Sequence, residues 1–419
     1  MVVESNRYKP AQPFTAYERI VATMLALLQF TIVLDFMVLS PLGAILMPDL
    51  KIGPSEFGLV VSAYAFSAGF SGMLAAGFAD RFDRKRFLLF FYGGFVMGTL
   101  FCGLAPSYPY LLAARTITGL FGGVIGSIIY SIAADIFPAE KRGRAMGVIQ
   151  SAMASSQIVG IPTALSLASR WDWHMPFLVL VGLSVGLGFL IILGLKPITT
   201  HMSHKPQGAA LGYLLQTITK PRYLMAFLTT TLLATGGFML MPFGSAYTVH
   251  NIGIPIENLP YMYLVTGVCT MASGLLAGKA CDSLGYLKVF DAGTLLTIAM
   301  VITYTHLGPT PFPLVILVNV LLFAGISARM VSSQTLMAMV PSKENRGAFM
   351  SISSSVQQVA GGIAAVAAGM IVAKTADEKL LHFEVIGYAV AGASLVTMIL
   401  NHAISRQLAA TKTKLAEAS

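Results

Sequence analysis

The chain has 419 residues, of which 56% are hydrophobic and only 11% are charged. A soluble domain carries about 25% charged residues, so this composition excludes an ordinary soluble protein. The net charge of +9 does not indicate a nucleic-acid partner, because most Lys and Arg residues fall in alternate loops between apolar runs, which is the pattern that orients membrane proteins. Three scattered cysteines indicate neither a disulfide framework nor a metal site.

Apolar runs long enough to cross a bilayer recur along the whole chain and predict an all-α membrane protein with twelve transmembrane helices. We number these predicted spans 1 to 12: residues 20–47, 56–78, 87–104, 108–137, 145–168, 176–195, 223–250, 259–278, 290–306, 312–339, 348–373 and 383–404. The asymmetry of Lys and Arg places both termini in the cytoplasm. We therefore expect a multi-pass protein of the inner (cytoplasmic) membrane, with the lipid bilayer as its partner.

Two short phrases recur about two hundred positions apart. The run DRFDRKR at 80–86 has an echo in GKACDSLG at 278–285, and PAEKRG at 138–143 has an echo in PSKENRG at 341–347. One period from two separate landmarks predicts two pseudo-symmetric six-helix bundles, residues 1–195 and 223–419, joined by a cytoplasmic connector at 196–222. Duplicated halves are typical of carriers that work by alternating access.

Three ionisable residues lie in the middle of predicted spans: Asp35, Arg115 and Arg329. A charge at a helix centre costs about 2.5–3.5 kcal/mol on insertion scales, so such residues face a cavity or a partner. Asp35 is either a coupling site that binds substrate and proton alternately, or one half of a structural ion pair with Arg115. Burial and a neighbouring guanidinium shift a carboxyl pKa in opposite directions, so the sequence leaves both readings open.

Arginine does not deprotonate in proteins, so the expected role of Arg115 is to tune an acid such as Asp35. Arg329 either binds an anionic or polar group of a substrate or pairs with a buried carboxylate, and Asn319 lies nearer to the repeat position of Arg115. Adaptable apolar residues of span 7 and polar residues of other spans complete the predicted cavity wall: Met239, Met241, Phe243, Tyr247, Gln29, Tyr64, Gln150, Gln157, Gln334 and Gln357.

The loop AGFADRFDRK at 76–85 resembles the signature G-x-L-A-D-R-x-G-R-K between spans 2 and 3 of the major facilitator superfamily. The run LLAARTITG at 111–119 is similar to the span-4 motif R-x-x-Q-G of that superfamily, with Thr118 in place of Gln. Span 5 and the loop after it resemble those of drug:proton antiporters of the arabinose-efflux type, although the antiporter signature is eroded around Ser156 and Pro162.

The resemblance implies the major facilitator fold and a latch at the cytoplasmic ends of spans 2, 3, 4 and 11. Alternating acids and bases tie neighbouring helices together through charge-assisted hydrogen bonds. The expected latch residues, with Asp135 as the span-4 partner and Asp282 as the second-half copy, are Gly77, Asp80, Arg81, Arg84, Lys85, Asp135 and Asp282. The alternative to a latch is that the basic residues only keep the loop on the cytoplasmic side of the membrane.

An enzyme of the membrane is the competing class. The chain has no H-E-x-x-H, G-x-S-x-G or G-x-x-x-x-G-K-[ST] sequence, so neither catalysis nor ATP hydrolysis is expected. We predict a monomeric carrier without metal or cofactor that uses the proton gradient, an antiporter exporting small amphipathic or drug-like compounds. The alternative within transport is a proton symporter or facilitator for a small organic solute or a lipid-like substrate.

Overall fold

The computed structural model describes residues 13–75, 82–199, 221–341 and 346–417. Eleven helices in these ranges are long and apolar enough to cross a membrane. The twelfth crossing is span 5, which consists of two α-helices joined by a π-helical turn and whose residues 145–169 contain no charged side chain. The predicted all-α architecture of twelve transmembrane helices is confirmed.

The helices of the twelve spans follow the predicted order. Their bounds are Ala16–Val38, Pro54–Ala75, Arg84–Gly103, Tyr108–Ile136, Ala139–Ser155 continuing as Ile161–Arg170, Met175–Gly194, Pro221–Ala246, Leu259–Leu284, Tyr286–Thr305, Phe312–Met337, Arg346–Ile371 and Phe383–Glu417. Most of the predicted connector, residues 200–220, lies outside the described residues, as do Gly77, Asp80 and Arg81.

The two halves pack their helices in one common pattern. In the first half, span 1 packs against spans 5 and 6, span 2 against span 4, and span 3 against spans 4 and 6. In the second half, span 7 packs against spans 11 and 12, span 8 against span 10, and span 9 against spans 10 and 12. Each pairing therefore recurs six spans later. Between the halves, span 2 meets span 11 and span 5 meets span 8. These two contacts are equivalent, because spans 2 and 8 correspond in the two halves, as do spans 5 and 11.

The halves are tied together at one end of the bundle. We call this end outer and the end near Asp83 inner, following the predicted orientation. Small residues let the backbones approach: a Cβ added to Gly58 would lie 2.7 Å from the carbonyl oxygen of Ala365. Three hydrogen bonds between described residues cross from one half to the other, all in the outer part: Ser55 Oγ to Gly369 O (2.8 Å), Ser245 Oγ to Ser40 O (3.2 Å) and Lys374 Nζ to Ile52 O (3.4 Å).

Span 1 ends earlier than the predicted residue 47. Its helix stops at Val38, and after a turn a short helix, Gly43–Asp49, follows. Pro41 has no backbone N–H to continue the helical hydrogen bonds. Gly43 is needed here for space, because a Cβ at this position would lie 3.0 Å from both the Phe57 ring and the carbonyl oxygen of Pro242. The break thus lets the first half approach span 7.

Three local features were not predicted from the sequence. Span 5 contains a π-helical turn at Ser156–Gly160, and span 7 ends in another at Tyr247–Asn251. Between spans 11 and 12 a short antiparallel hairpin forms from β1 (Ala373–Lys374) and β2 (Leu380–Leu381). Asn251 fixes the hairpin to span 7, because its side chain hydrogen-bonds both the N–H and the carbonyl oxygen of Leu380 (2.9 and 2.8 Å).

Candidate transport site

A buried ion pair lies inside the first half. Arg115 Nη1 of span 4 is 2.9 Å from Asp35 Oδ2 of span 1 and donates a second hydrogen bond to the backbone oxygen of Asp35 (3.2 Å). Asp35 is 0% exposed and Arg115 is 1% exposed. Asp35 occupies the buried stripe of span 1 that also contains Leu28, Thr31 and Val38. The helical spacing of this stripe turns the carboxylate towards span 4.

Neighbouring spans complete the surroundings of the pair. The Thr99 hydroxyl of span 3 donates to Asp35 Oδ1 at 3.0 Å, so each carboxylate oxygen has one donor. The Arg115 guanidinium lies over the ring of Tyr64 from span 2, 4.6 Å from its centroid. Nε of Arg115 has no hydrogen-bond partner among the described residues. Because the pair is buried, breaking it leaves an unpaired charge inside the protein, and this costs free energy.

Aromatic rings connect the ion pair to the other half of the protein. Phe36, the neighbour of Asp35, packs against Tyr64 with ring centroids 5.2 Å apart and against Phe238 of span 7 at 5.9 Å. Phe238 in turn lies against Gly361 of span 11, where an added Cβ would lie 2.8 Å from the ring. Asp35 is therefore adjacent in sequence to Phe36, a residue that contacts the other half.

Span 7 places its predicted residues in different surroundings. Met239 and Phe243 are buried in the apolar core that both halves share near the outer end, with Phe243 6.1 Å from the Phe57 ring, and Met241 is half-buried. Tyr247 is used within the second half: its hydroxyl donates to the backbone oxygens of Thr305 and Leu307, each at 2.9 Å.

The predicted polar contacts are dispersed rather than gathered at one point. Gln150 is exposed and accepts a hydrogen bond from the Tyr130 hydroxyl at 2.7 Å. Gln157 lies in the π-helical turn of span 5, with Nε2 4.0 Å from Met37 Sδ. Gln29 and Gln357 are half-buried and Gln334 is exposed. None of these glutamines contacts the ion pair through a hydrogen bond that the described residues show.

The second half holds a buried arginine with different surroundings. Arg329 is 3% exposed, and it makes no ion pair or hydrogen bond with a described residue. Its guanidinium lies 5.7 Å from the centroid of the Phe290 ring. Asn319, on the same buried stripe of span 10, has Nδ2 3.9 Å from Met262 Sδ. Of the two roles predicted for Arg329, pairing with a buried carboxylate therefore has no counterpart in the described part of the chain.

At the inner end, the structure brings the predicted residues Arg84 and Asp135 together. Arg84 Nε is 3.2 Å from Asp135 Oδ2, joining the start of span 3 to the end of span 4. Lys85 donates to the backbone oxygen of Ile192 in span 6 at 2.7 Å. Asp282 is exposed and makes no ion pair or hydrogen bond with the residues that the structure describes.

Sequence reasoning missed Thr99 and Phe36. The sequence around a threonine in an apolar helix does not show whether its hydroxyl bonds a carboxylate or the backbone of its own helix. The Thr99 hydroxyl is within hydrogen-bond distance of both, since it also lies 3.0 Å from Phe95 O. Phe36 adjoins Asp35 in sequence, but its contact with Phe238 depends on how the two halves meet.

Twelve membrane-crossing helices, two halves with one packing pattern and a charged pair buried in one of them are the architecture of a secondary carrier. The sequence profile of the Major Facilitator Superfamily matches residues 25–328 and 226–415. The chain belongs to this superfamily, as the resemblance in the sequence indicated.

Individual relatives are moderately similar. The uncharacterized MFS-type transporter YceJ of Bacillus subtilis (strain 168) is 27% identical over 64% of this chain and 68% of its own length. Multidrug resistance protein 3 of the same organism is 30% identical, over 36% of this chain and 29% of its own length.

Solved structures share the fold. A crystal structure of the nucleoside transporter NupG aligns with a TM-score of 0.74 at 15% identity, over 92% of this chain and 99% of that one. An inward-facing, occupied bacterial homologue of the human lysosomal transporter Spinster aligns with a TM-score of 0.71 at 16% identity, over 95% and 96%. At these identities the likeness concerns the fold alone.

Proposed function

We propose that this chain is a proton-coupled secondary carrier of the inner membrane, with both termini cytoplasmic, that exports small amphipathic or drug-like compounds by antiport. The observation that carries the proposal is the buried Asp35–Arg115 pair, next in sequence to Phe36, which contacts Phe238 of the other half. The proton gradient is the energy source, no cofactor is needed, and the carrier acts as a monomer.

The coupling step follows from the geometry of the pair. A proton on Asp35 removes the negative charge that holds Arg115 Nη1 at 2.9 Å. Arg115 then keeps only its contacts with the Asp35 backbone oxygen and the Tyr64 ring. A cation without its counterion is unstable in a buried site, so protonation favours a rearrangement of spans 1 and 4. Phe36 and Tyr64 transmit that rearrangement to the contact with Phe238.

The inner-end residues have a separate role in this proposal. The Arg84–Asp135 ion pair and the Lys85–Ile192 hydrogen bond brace spans 3, 4 and 6 against one another. With these inner ends held rigid, the first half moves as one body. The braces act on the rate of the conformational change rather than on binding.

Export of drug-like compounds rests on two supports. The relative with 30% identity is named a multidrug resistance protein, and the contact between the halves is lined by aromatic and Met side chains such as Phe36, Phe238 and Met239. Such side chains bind apolar surfaces of varied shape with few directional demands.

A pH-change assay in proteoliposomes tests the proposal. With the wild-type protein, protons are expected to cross the proteoliposome membrane in one direction while a compound from a panel of amphipathic molecules crosses in the opposite direction. Asp35→Asn should abolish the proton movement while compound exchange continues. Asp377→Asn is the matched control, because Asp377 is exposed and far from the pair in sequence. Proton movement in the same direction as the compound would assign symport instead, and unchanged coupling in Asp35→Asn would remove Asp35 from the mechanism.

A further inference from the structure

The interior of the second half contains buried polar groups without partners. Nε of Arg329 in span 10 has no hydrogen-bond partner among the described residues, and neither does Nδ2 or Oδ1 of Asn401 in span 12. Both residues are at least nine-tenths buried, with exposures of 3% and 1%. Buried polar groups are almost always paired. Arg329 and Asn401 therefore call for an explanation, as do Asp291 Oδ1 and Thr294 Oγ1 of span 9, which also lack partners among the described residues.

These residues lie where spans 9, 10 and 12 converge. Span 9 passes close to span 10, because a Cβ added to Gly293 would lie 3.2 Å from the backbone nitrogen of Arg329. Span 12 meets span 9 two residues earlier in span 9, where His402 Nε2 lies 3.4 Å from Asp291 Oδ2. Arg329 is near Phe290, and Asn401 is next to His402. The contacts of Arg329 and of His402 both fall on residues 290–293 of span 9, so Arg329 and Asn401 lie at a similar depth in the bundle.

The charges around this level favour an anion. Asp291 of span 9 contacts His402 through Oδ2, its Oδ1 has no partner among the described residues, and it makes no ion pair with Arg329. The Phe290 ring centroid lies 5.7 Å from the guanidinium, within the range of a cation–π contact, but the ring has no net charge that would neutralise the cation. The other two buried arginines of the described chain, Arg84 and Arg115, both have a carboxylate within 3.2 Å. Arg329 is thus a cation with full donor capacity and no counterion from its own surroundings.

We propose that Arg329 and Asn401 form a binding site for the carboxylate of an organic anion, and that compounds carried by this protein bear such a group. The guanidinium presents two donors in the planar geometry that a carboxylate matches, and the Asn401 amide supplies a third donor. This inference rests on the proposed transport function, which it narrows to amphipathic compounds with an acid group.

Thermal unfolding of the purified full-length protein in detergent tests the site without any proton gradient. The probes are sodium benzoate, sodium chloride alone, and benzamide with sodium chloride, all at one sodium concentration. Benzoate should raise the unfolding temperature of wild type, whereas chloride and benzamide should not. Arg329→Gln should weaken the apparent benzoate affinity about 10- to 100-fold, the effect of losing a charged hydrogen-bond partner. Asn401→Leu should weaken it less, and the exposed control Arg170→Gln should respond like wild type.

A second measurement separates a ligand site from a structural role. Without benzoate, Arg329→Gln should unfold at the same or a higher temperature than wild type, since it removes an uncompensated buried charge. A clear loss of stability would show that Arg329 has a structural partner and would overturn the proposal. So would an equal shift with chloride alone or with benzamide. Because no transport is measured, a failure here leaves the proton-coupling proposal intact, and the reverse also holds.

Discussion

The Asp35–Arg115 pair gives a quantitative prediction. Asp35→Asn keeps the shape of the side chain and removes its charge, which leaves Arg115, 1% exposed, without a counterion. Removing one partner of a buried ion pair costs about 3–5 kcal/mol. We expect the lower end of this range, about 3 kcal/mol, because Arg115 keeps its hydrogen bond to the Asp35 backbone oxygen at 3.2 Å and its position over the Tyr64 ring at 4.6 Å.

A double-mutant cycle measures this cost directly. Asp35→Asn, Arg115→Gln and the double variant are purified in one detergent, and their unfolding is compared with that of Asp377→Asn, which should match wild type. The double variant should be more stable than the sum of the single changes implies, because it leaves no unpaired charge in the buried site. Additive effects, or a single Asp35→Asn variant as stable as wild type, would refute the conclusion that the two charges stabilise each other.

Three further changes test other parts of the structure. Gly58→Leu should block transport, because the added side chain meets the Ala365 carbonyl at the contact between spans 2 and 11. The control Gly182→Leu has open space around it and should support normal counterflow. Equal activity of the two variants would contradict close packing at the outer end. Arg84→Gln should change the rate of counterflow and not its half-saturating concentration, since the residue lies at the inner end; an effect on half-saturation alone would argue against a brace. Tyr247→Phe should lower the free energy of unfolding by about 1 kcal/mol, the value of a lost hydrogen bond, and transport should be retained. Loss of transport without a change in thermal stability would instead assign Tyr247 to the substrate path.

The hydropathy of the chain was sufficient to predict the twelve crossings. A bilayer offers no hydrogen-bond partners to the backbone, so a long apolar run has almost no option other than a helix. The same reasoning identified span 5 but began it at residue 145, after the charged residues, whereas the helix begins at Ala139. It placed the end of span 1 too late, because an apolar run continues through Pro41 and Gly43 although the helix stops at Val38.

Residue type also identified Asp35, Arg115 and Arg329, since a charge inside a membrane helix is rare whatever surrounds it. Only the tertiary structure decided what each charge meets: Thr99 and Arg115 around Asp35, and no carboxylate among the described residues around Arg329. Contacts between helices distant in sequence depend on which faces the packing brings together. Local hydropathy contains no information about that choice, and so the difference between a paired and an unpaired arginine is a property of the assembled bundle.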